Sequence, residues 1–356
     1  MDALVQLYTM LLGFIPFEPV RNSINILVPT LSIASMVLFT VFVLIWWERR
    51  VIAFVQARLG PNRLGPGGLF QSFADALKIM LKEEIVTNDA DKILFAIAPV
   101  LVFVPGLLVY SMVPVGNTMV VSNINVAVFM FFAVSSLATL GILMAGWSSN
   151  NKYSLMGGIR AVAQAISYEI PLLLSLVGVI MLTGSLSMVD IVNKQDIWNV
   201  VKQPVAFIIF FICSLSEVNR IPFDLPEAES ELVSGFNTEY SGFGFATFFL
   251  AEYINTFTLG ALSATLFFGG WRFPFDSYLG DVGIMLTNQL GLVWFYMKTM
   301  FFFSVVVWIR GTLPRVRTDQ LMSFAWKYLL PLALLNIFVT TIFAAIGFGM
   351  FNGVFK

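Results

Sequence analysis

Three charged residues lie inside segments that are otherwise strongly apolar, and this position makes them the first candidates for chemistry. Glu169 lies in "AQAISYEIPLLL", Glu252 in "FFLAEYINTF" and Lys298 in "WFYMKTMFFF". A charge at the centre of a bilayer costs roughly 2.5–3.5 kcal/mol on insertion scales, so each side chain should face a protein interior or a hydrated cavity. Residues of this kind commonly mark ion paths or proton relays. The simpler alternative is an ion pair between Lys298 and one glutamate that holds two helices together.

A second concentration of charge is the connection "SEVNRIPFDLPEAESELVSGFNTEY", from Ser216 to Tyr240, which carries six carboxylates and one arginine. Pro222 and Pro226 prevent a continuous helix there. Glu227, Glu229 and Glu231 occur at every second position, and in a helix this spacing would direct their side chains to different faces. A compact loop that lines a cavity therefore suits them better. A buried carboxylate without an opposite charge beside it has a raised pKa and can exchange a proton near neutral pH. Because apolar residues alternate with the acids and Arg220, such a cavity could hold an amphipathic ligand.

The composition identifies the class of protein that must position these residues. Hydrophobic residues make up 58% of the 356-residue chain, and charged residues only 12%. These proportions are those of an integral membrane protein. The formal net charge of −1, without a cluster of Lys and Arg, argues against a nucleic-acid partner. The chain has no histidine and one cysteine, Cys213, which excludes an internal disulfide, haem ligation by histidine and His-based acid–base catalysis.

The hydropathy pattern predicts an all-α integral membrane protein with about eight transmembrane helices, since about 20 apolar residues are needed for each crossing. We place the crossings near residues 26–47, 93–115, 124–147, 161–183, 205–215, 243–268, 292–309 and 328–348. The whole chain, 1–356, forms one membrane domain. It begins with a surface segment over 1–25 and carries two long cytoplasmic-side connections, 48–92 and 216–240. Lys and Arg concentrate on the side of these connections, so both termini should face outward.

The connection 48–92 contains a segment of a different kind, "GLFQSFADALKIMLKEE". Phe70, Phe73, Leu77 and Met80 fall on one helical face, and polar residues fall on the other. The polar ones are Gln71, Asp75, Lys78 and Lys82. This spacing predicts an amphipathic helix lying on the cytoplasmic side of the membrane. The preceding "ARLGPNRLGPGG" predicts a rigid irregular turn; a plain connecting loop is the alternative.

Four long segments of the chain resemble one known family. They are "WERRVIAFVQARLGPNRLGPGGLFQSFADALKIMLKEE", "AGWSSNNKYSLMGGIRAVAQAISYEIPL", "EVNRIPFDLPEAESELVSGFNTEYSGFGFATFFLAEY" and "WIRGTLPRVRTDQLMSFAWKYLLP". They are similar to signature segments of one membrane component of NADH:quinone oxidoreductase (respiratory complex I), the one denoted H in bacteria and 1 in mitochondria. The similarity runs in order from Glu48 to Pro331.

The resemblance implies roles for particular residues. It places Arg49, Arg58, Arg220, Asp224 and Glu227 at the lining of a quinone tunnel and its acidic loop, which Glu229 and Glu231 continue. A hydrated acidic path would contain Tyr168, Glu169, Glu217, Glu239 and Glu252, and Asp75 is grouped with this path. Arg310, Arg315 and Arg317 match charged residues near the cytoplasmic surface. No residue set in this chain completes a catalytic centre or a metal site.

The implied function is that of a membrane subunit of a proton-translocating NADH:quinone oxidoreductase. This chain would form the membrane end of the quinone-binding tunnel and couple quinone reduction to proton translocation. Quinone would be the substrate, and NAD, FMN and iron–sulfur clusters would belong to partner subunits of the soluble redox arm. Other implied partners are small membrane subunits, antiporter-like subunits and lipids, in a bacterial cytoplasmic membrane.

Two alternatives stay open at this point. The first is the ion-pumping membrane subunit of a related membrane-bound hydrogenase, which shares the embedded acids. The second is a stand-alone secondary transporter, but such folds usually carry an internal repeat. We find no convincing repeat between the two halves of the sequence.

Overall fold

The computed structural model describes residues 18–116, 120–274 and 280–346, and these residues form helices joined by loops, without a strand in the described ranges. The helices are α1 Glu18–Val55, α2 Gln71–Met80, α3 Lys92–Val109, α4 Ala127–Ser148, α5 Lys152–Thr183, α6 Met188–Asn193, α7 Asn199–Lys202, α8 Pro204–Glu217, α9 Glu229–Leu232, α10 Gly242–Phe267, α11 Asp281–Thr312, α12 Thr318–Phe324 and α13 Leu330–Ile346. A π-helical turn, Ala325–Leu329, joins α12 to α13.

Within the described ranges, seven helical segments are long and apolar enough to cross a membrane, and α8 is a shorter apolar helix. At 1.5 Å per residue, the 14 residues of α8 span about 21 Å, less than a hydrocarbon core of about 30 Å. The prediction of an all-α membrane protein is therefore confirmed: seven of the predicted crossings are long enough to span, and the eighth is present as the shorter helix α8. The first helix begins at Glu18, so residues 18–25 of the expected surface segment are helical and the rest of that segment lies outside the described residues.

The core of the bundle forms around α5 and α10, which pack against several other helices. The most apolar window of α10 is 72% buried, the largest fraction among the spans. Small residues from Gly260 to Ala264 let neighbours approach closely: a Cβ on Gly260 would lie 2.8 Å from the carbonyl oxygen of Thr299 in α11. On the other side of the bundle, Tyr168, Phe210 and Phe267 are fully buried in one apolar cluster.

The amphipathic helix is present as α2, and its apolar side chains are exposed. The exposed fractions of Phe70, Phe73, Leu77 and Met80 are 54%, 55%, 45% and 53%. On its polar face Asp75 forms an ion pair with Arg49 of α1, which fixes the helix against the first span. The turn before α2 needs glycine at position 68, because a Cβ there would lie 2.3 Å from the carbonyl oxygen of Pro61.

The acidic connection between α8 and α10 is mostly irregular, as the prolines predict. Residues 218–228 contain no helix, but α9 and a 3-10 turn, Gly235–Asn237, interrupt the second half. The expectation of a helix-free loop around the glutamates was therefore wrong for Glu229 and Glu231, which lie in α9. Glu231 in α9 pairs with Arg160 and is half exposed, whereas Glu227, which precedes α9, lines the cavity described below.

Candidate functional site

A cavity of about 370 Å³ opens where the end of α1, the acidic loop and the start of α10 meet. Its lining includes Glu48, Arg49, Ile52, Asn219, Arg220, Ile221, Asp224, Glu227, Ser234, Asn237, Phe245, Phe249, Glu252, Tyr253 and Arg310. Phenylalanine and isoleucine side chains supply apolar surface beside these charged groups. The cavity lies at the ends of the spans near which many of the Lys and Arg residues of the connections lie.

The charged centre of the cavity wall is an ion-pair network around Arg220. Arg220 Nη1 donates to Glu48 Oε1 at 3.0 Å and to Glu48 Oε2 at 3.2 Å, and Arg310 also pairs with Glu48. Arg220 Nε lies 2.8 Å from Glu252 Oε1. The guanidinium carbon is 4.6 Å from the ring centre of Tyr253, a cation–π distance. Two arginines and two glutamates therefore balance each other. The side chains of Arg220 and Glu48 are almost fully buried, at 3% and 4% exposed, whereas those of Glu252 and Arg310 are 25% and 33% exposed.

This network includes one of the charged residues expected inside the spans. Glu252 has Arg220 beside it. The alternative was an ion pair between Lys298 and a glutamate. Lys298 Nζ donates to the backbone oxygens of Phe268, Gly270 and Arg272, at the end of the bundle away from the acidic loop.

A second set of contacts fixes the acids of the loop. Arg315 Nη2 lies 3.0 Å from Asp224 Oδ2, which ties the loop to the segment between α11 and α12. Asn237 Nδ2 donates to Glu227 Oε1 at 2.6 Å, within the loop itself. These contacts hold two carboxyl groups in the cavity wall at defined positions.

The backbone of the loop is held from three directions. Gln164 Nε2, buried in α5, donates to the carbonyl oxygens of Ser216 and Phe223, each at 2.8 Å. The backbone N–H of Val316 donates to the carbonyl oxygen of Pro222 at 3.0 Å. Gly235 adopts a φ of +57°, and a Cβ there would lie 1.7 Å from the carbonyl oxygen of Pro226. These contacts therefore hold the loop in a defined position as one wall of the cavity.

Burial and charge set the protonation of the loop residues. Burial alone would lower the pKa of Arg220, but the carboxylates of Glu252 and Glu48 outweigh it and the pKa is raised, so the guanidinium keeps its charge. Burial raises the pKa of Asp224, against the opposite effect of Arg315. Burial also raises the pKa of Glu227 to about 8, with the negative charges of Glu252 and Asp224 acting in the same direction. Glu227 is therefore mostly protonated at neutral pH.

A smaller chamber of about 110 Å³ adjoins the cavity, and its walls come from α3, α4, α5, α8, α10 and the acidic loop. Glu227 and Glu252 line both spaces, and Glu217, Asn255 and Ser214 line the inner one. Among the described residues, Glu217 Oε2 is buried without a hydrogen-bond partner. The Glu169 carboxylate is close enough to act electrostatically on Glu217. The arrangement is a row of carboxyl groups leading from the cavity into the bundle.

Other residues singled out from the sequence lie outside both linings. Tyr168 is fully buried and its hydroxyl donates to the carbonyl oxygen of Leu321 at 3.0 Å, which anchors α12 on α5. Glu239 accepts from Asn151 Nδ2 at 2.6 Å. Arg58 and Arg317 are exposed. Asp75 forms an ion pair with Arg49, and Glu231 forms one with Arg160 at 2.5 Å. For Glu229 the structure describes the backbone in α9 only.

Sequence reasoning missed Glu48, the residue that joins Arg220 to Arg310. It lies on the buried stripe of α1 formed by Val37, Val41 and Leu44, at helical spacing. A charged residue that lies on the apolar face of a membrane helix needs a partner inside the protein. The spacing of Glu48 from Val37, Val41 and Leu44 could have identified it from the sequence. In the part of the chain that the structure describes, no group of three or more His, Cys, Asp and Glu side chains could hold a metal ion.

The fold and the site define a multi-pass α-helical membrane protein with a cavity at one end of its spans, and a buried ion network and carboxyl groups line that cavity. Residues 28–341 match the family model described as NADH dehydrogenase. The NADH-quinone oxidoreductase H subunit of Brevibacillus brevis is 47% identical over 326 residues, covering 91% of this chain and 95% of the relative. The same component from Geobacillus thermodenitrificans is 49% identical over 303 residues, covering 85% of this chain and 89% of the relative. That of Dehalococcoides mccartyi strain CBDB1 is 46% identical over 317 residues, covering 89% and 86%. The chain therefore belongs to the H-subunit family of NADH-quinone oxidoreductase, and it is a membrane subunit of that oxidoreductase complex.

Proposed function

We propose that this chain forms the membrane end of the quinone-binding cavity of its complex and couples quinone reduction to proton translocation through its carboxyl groups. The observation that carries the proposal is that Glu227 and Glu252 line both the 370 Å³ cavity and the 110 Å³ inner chamber. A change of charge at a ligand in the first space would therefore act directly on carboxyl groups that face the second.

The cavity has the surfaces that a quinone needs. Phe245, Phe249 and Ile52 offer apolar contact to the ring and the first part of the tail, while Arg220 and Arg310 offer positive charge. Reduction of a quinone to a quinol consumes two electrons and two protons. Positive groups beside the oxygens stabilise the negative charge that develops as electrons arrive. The two electrons would come from NADH, which becomes NAD, through FMN and iron–sulfur centres held by the soluble redox-arm subunits.

The carboxyl groups supply or redistribute protons during this reaction. Glu227 holds a proton at neutral pH, because burial raises its pKa to about 8. Its proton can move toward the cavity when negative charge appears there, and Glu217 and Glu169 lie further along the same row. The change in occupancy of this row is the signal that passes to neighbouring small membrane subunits and to the antiporter-like subunits beyond them.

The orientation completes the proposal. The cavity side faces the bacterial cytoplasm, where the soluble arm docks, and both chain ends face the outer side, because an even number of crossings returns the chain to the side on which it began. Reporter fusions to each end, assayed for activity on the outer and inner sides, test this orientation. Activity of either fusion on the inner side would refute it.

The central experiment replaces Glu227 by Gln in the assembled complex and measures quinone reduction together with proton translocation in proteoliposomes. Glu231→Gln is the matched control, since Glu231 belongs to the same loop but pairs with Arg160 outside the cavity. The proposal expects Glu227→Gln to lower both rates by at least about tenfold, within the usual range for loss of a proton-transferring group. Equal behaviour of the two variants would refute the role of Glu227.

A further inference from the structure

A second cavity, of about 580 Å³, lies on the outside of the bundle between the first half of α3, the start of α10 and the linker 84–86. It shares none of its lining with the cavity around Arg220. Its walls are mostly apolar: Ala96, Pro99, Val100 and Phe103 of α3 face Leu250 and other residues of α10. We call this space the α3–α10 groove.

The charged residues of the groove occupy one end only. Lys92, the first residue of α3, is exposed there, and Glu84 lies on the linker. Glu84 Oε1 accepts the backbone N–H of Gly244 at 3.1 Å. Tyr240 and Ser241 are the other polar residues at this end, and their hydroxyls bond to the protein: Tyr240 donates to the Phe95 carbonyl oxygen at 3.2 Å. The charged end of the groove is thus a lysine and a carboxylate above an apolar wall.

The length of the apolar wall matches one leaflet of a bilayer. From Lys92 to Phe103 α3 rises about 16 Å at 1.5 Å per residue, and half of a hydrocarbon core of about 30 Å is about 15 Å. The charged end lies at the cytoplasmic-side end of α3, where headgroups meet water. A molecule in the groove would therefore place a polar head between Lys92 and Glu84 and an apolar chain beside Val100 and Phe103.

The charges at the polar end of the groove indicate the kind of occupant. A quinone head carries no charge and would gain little from a lysine and a carboxylate at the end of an apolar groove. A headgroup with one phosphate and one ammonium group carries the two charges that complement Lys92 and Glu84.

We propose that the α3–α10 groove binds one phospholipid with a zwitterionic amine headgroup, such as phosphatidylethanolamine. Its phosphate meets the Lys92 ammonium group, its own ammonium group meets the Glu84 carboxylate, and an acyl chain lies along Ala96, Val100 and Phe103. This lipid binds at a site separate from the quinone cavity, so the inference goes beyond the proposed function and does not depend on it.

The bound lipid would stabilise the junction between the acidic loop and α10. Tyr240, at the end of the loop, lines the groove and stacks on Phe95 with ring centres 4.0 Å apart. At the junction Gly242 packs so closely on the linker that a Cβ would lie 2.7 Å from the carbonyl oxygen of Lys82. A lipid in the groove covers the outer side of this contact.

The test uses phosphatidylethanolamine with a photoreactive group in one acyl chain, added to proteoliposomes of the assembled complex. After illumination, mass spectrometry locates the labelled peptides and measures the yield. Label on the segment 92–103 is the expected result. Lys92→Gln should lower that yield by up to about fivefold, the upper end of what one exposed ion pair contributes. Ala96→Trp should abolish most of it by filling the groove.

The controls are matched within the chain. Lys152→Gln removes an equally exposed lysine that also starts a membrane helix, α5, and Ile97→Trp enlarges a side chain of α3 that does not line the groove. Both should keep the wild-type yield. Absence of label on 92–103, or equal yields from Lys92→Gln and Lys152→Gln, would overturn the proposal. So would a photoreactive residue at position 96 that captures a polypeptide in the assembled complex.

Discussion

Replacement of Glu48 by Gln tests the ion network most sharply, because one side chain there serves two arginines. In the wild-type protein Glu48 and Glu252 balance Arg220 and Arg310. Glu48→Gln leaves this cluster with one excess positive charge while keeping nearly the same side-chain volume. The Glu48 side chain is only 4% exposed, so water cannot replace the lost carboxylate well.

The size of the effect follows from the cost of breaking a buried ion pair, about 3–5 kcal/mol when one partner is removed. A loss of about 3 kcal/mol lowers the equilibrium constant for the intact cavity wall by roughly two orders of magnitude. We therefore expect Glu48→Gln to lower kcat/KM for a short-chain quinone by at least about tenfold in the assembled complex. Native electrophoresis, run beside the assay, reports whether the complex assembles.

A second substitution separates charge balance from simple damage. The Arg310 side chain is 33% exposed, so its removal leaves little buried charge uncompensated. When Arg310→Gln is combined with Glu48→Gln, the cluster keeps Arg220 and Glu252 and is neutral again. Glu48→Gln combined with Arg310→Gln should therefore be more active than Glu48→Gln alone. A double variant whose loss equals the product of the two single losses would refute the reasoning, as would a Glu48→Gln complex with wild-type kinetics.

Three further predictions concern the acidic loop. Because burial raises the pKa of Glu227 to about 8, its proton is present below that pH and lost above it. Quinone reduction should therefore fall as the pH rises through about 8, and Glu227→Gln should remove that step from the pH profile. An unchanged step in the variant would assign the titration to another group. Gly235→Ala should impair assembly or activity far more than Gly184→Ala. Both glycines have positive φ, but only at Gly235 would a Cβ clash with a neighbouring atom, the carbonyl oxygen of Pro226. Equal losses would mean that backbone strain alone, about 1–2 kcal/mol, explains both effects. Gln164→Leu removes one of the two hydrogen bonds that each of the carbonyl oxygens of Ser216 and Phe223 accepts. At about 0.5–1.5 kcal/mol for each lost bond, hydrogen exchange over 218–226 should accelerate by about tenfold. Unchanged exchange would show that Gln164 does not hold the loop.

The parts of the fold that depend on local pattern were predictable from the sequence. Long apolar runs predicted the spans, the period of Phe70, Phe73 and Leu77 predicted α2, and Pro222 and Pro226 predicted an irregular loop. Each of these signals needs only neighbouring residues. The short helix α9 escaped prediction, because four residues between turns carry too little periodicity to indicate a helix.

The site was less predictable because its contacts join distant parts of the chain. Glu48 lies 172 residues from Arg220 and 262 from Arg310, and local spacing cannot reveal such pairs. The same holds for Gln164, whose side chain bonds to the loop 52 and 59 residues away. Arg220, Asp224 and Glu227 could be proposed from the resemblance, whereas Glu48 required the observation that a charge continues a buried apolar stripe.

Photoaffinity labelling with a quinone that carries an azide on its ring tests the proposed function most directly. In the assembled complex, illuminated and digested, the label should attach to the peptides 48–52, 219–227 or 245–253 that form the cavity wall. Excess unmodified quinone should prevent the attachment. Labelling of this chain only at other segments, or labelling that excess quinone does not reduce, would contradict a quinone site in this cavity.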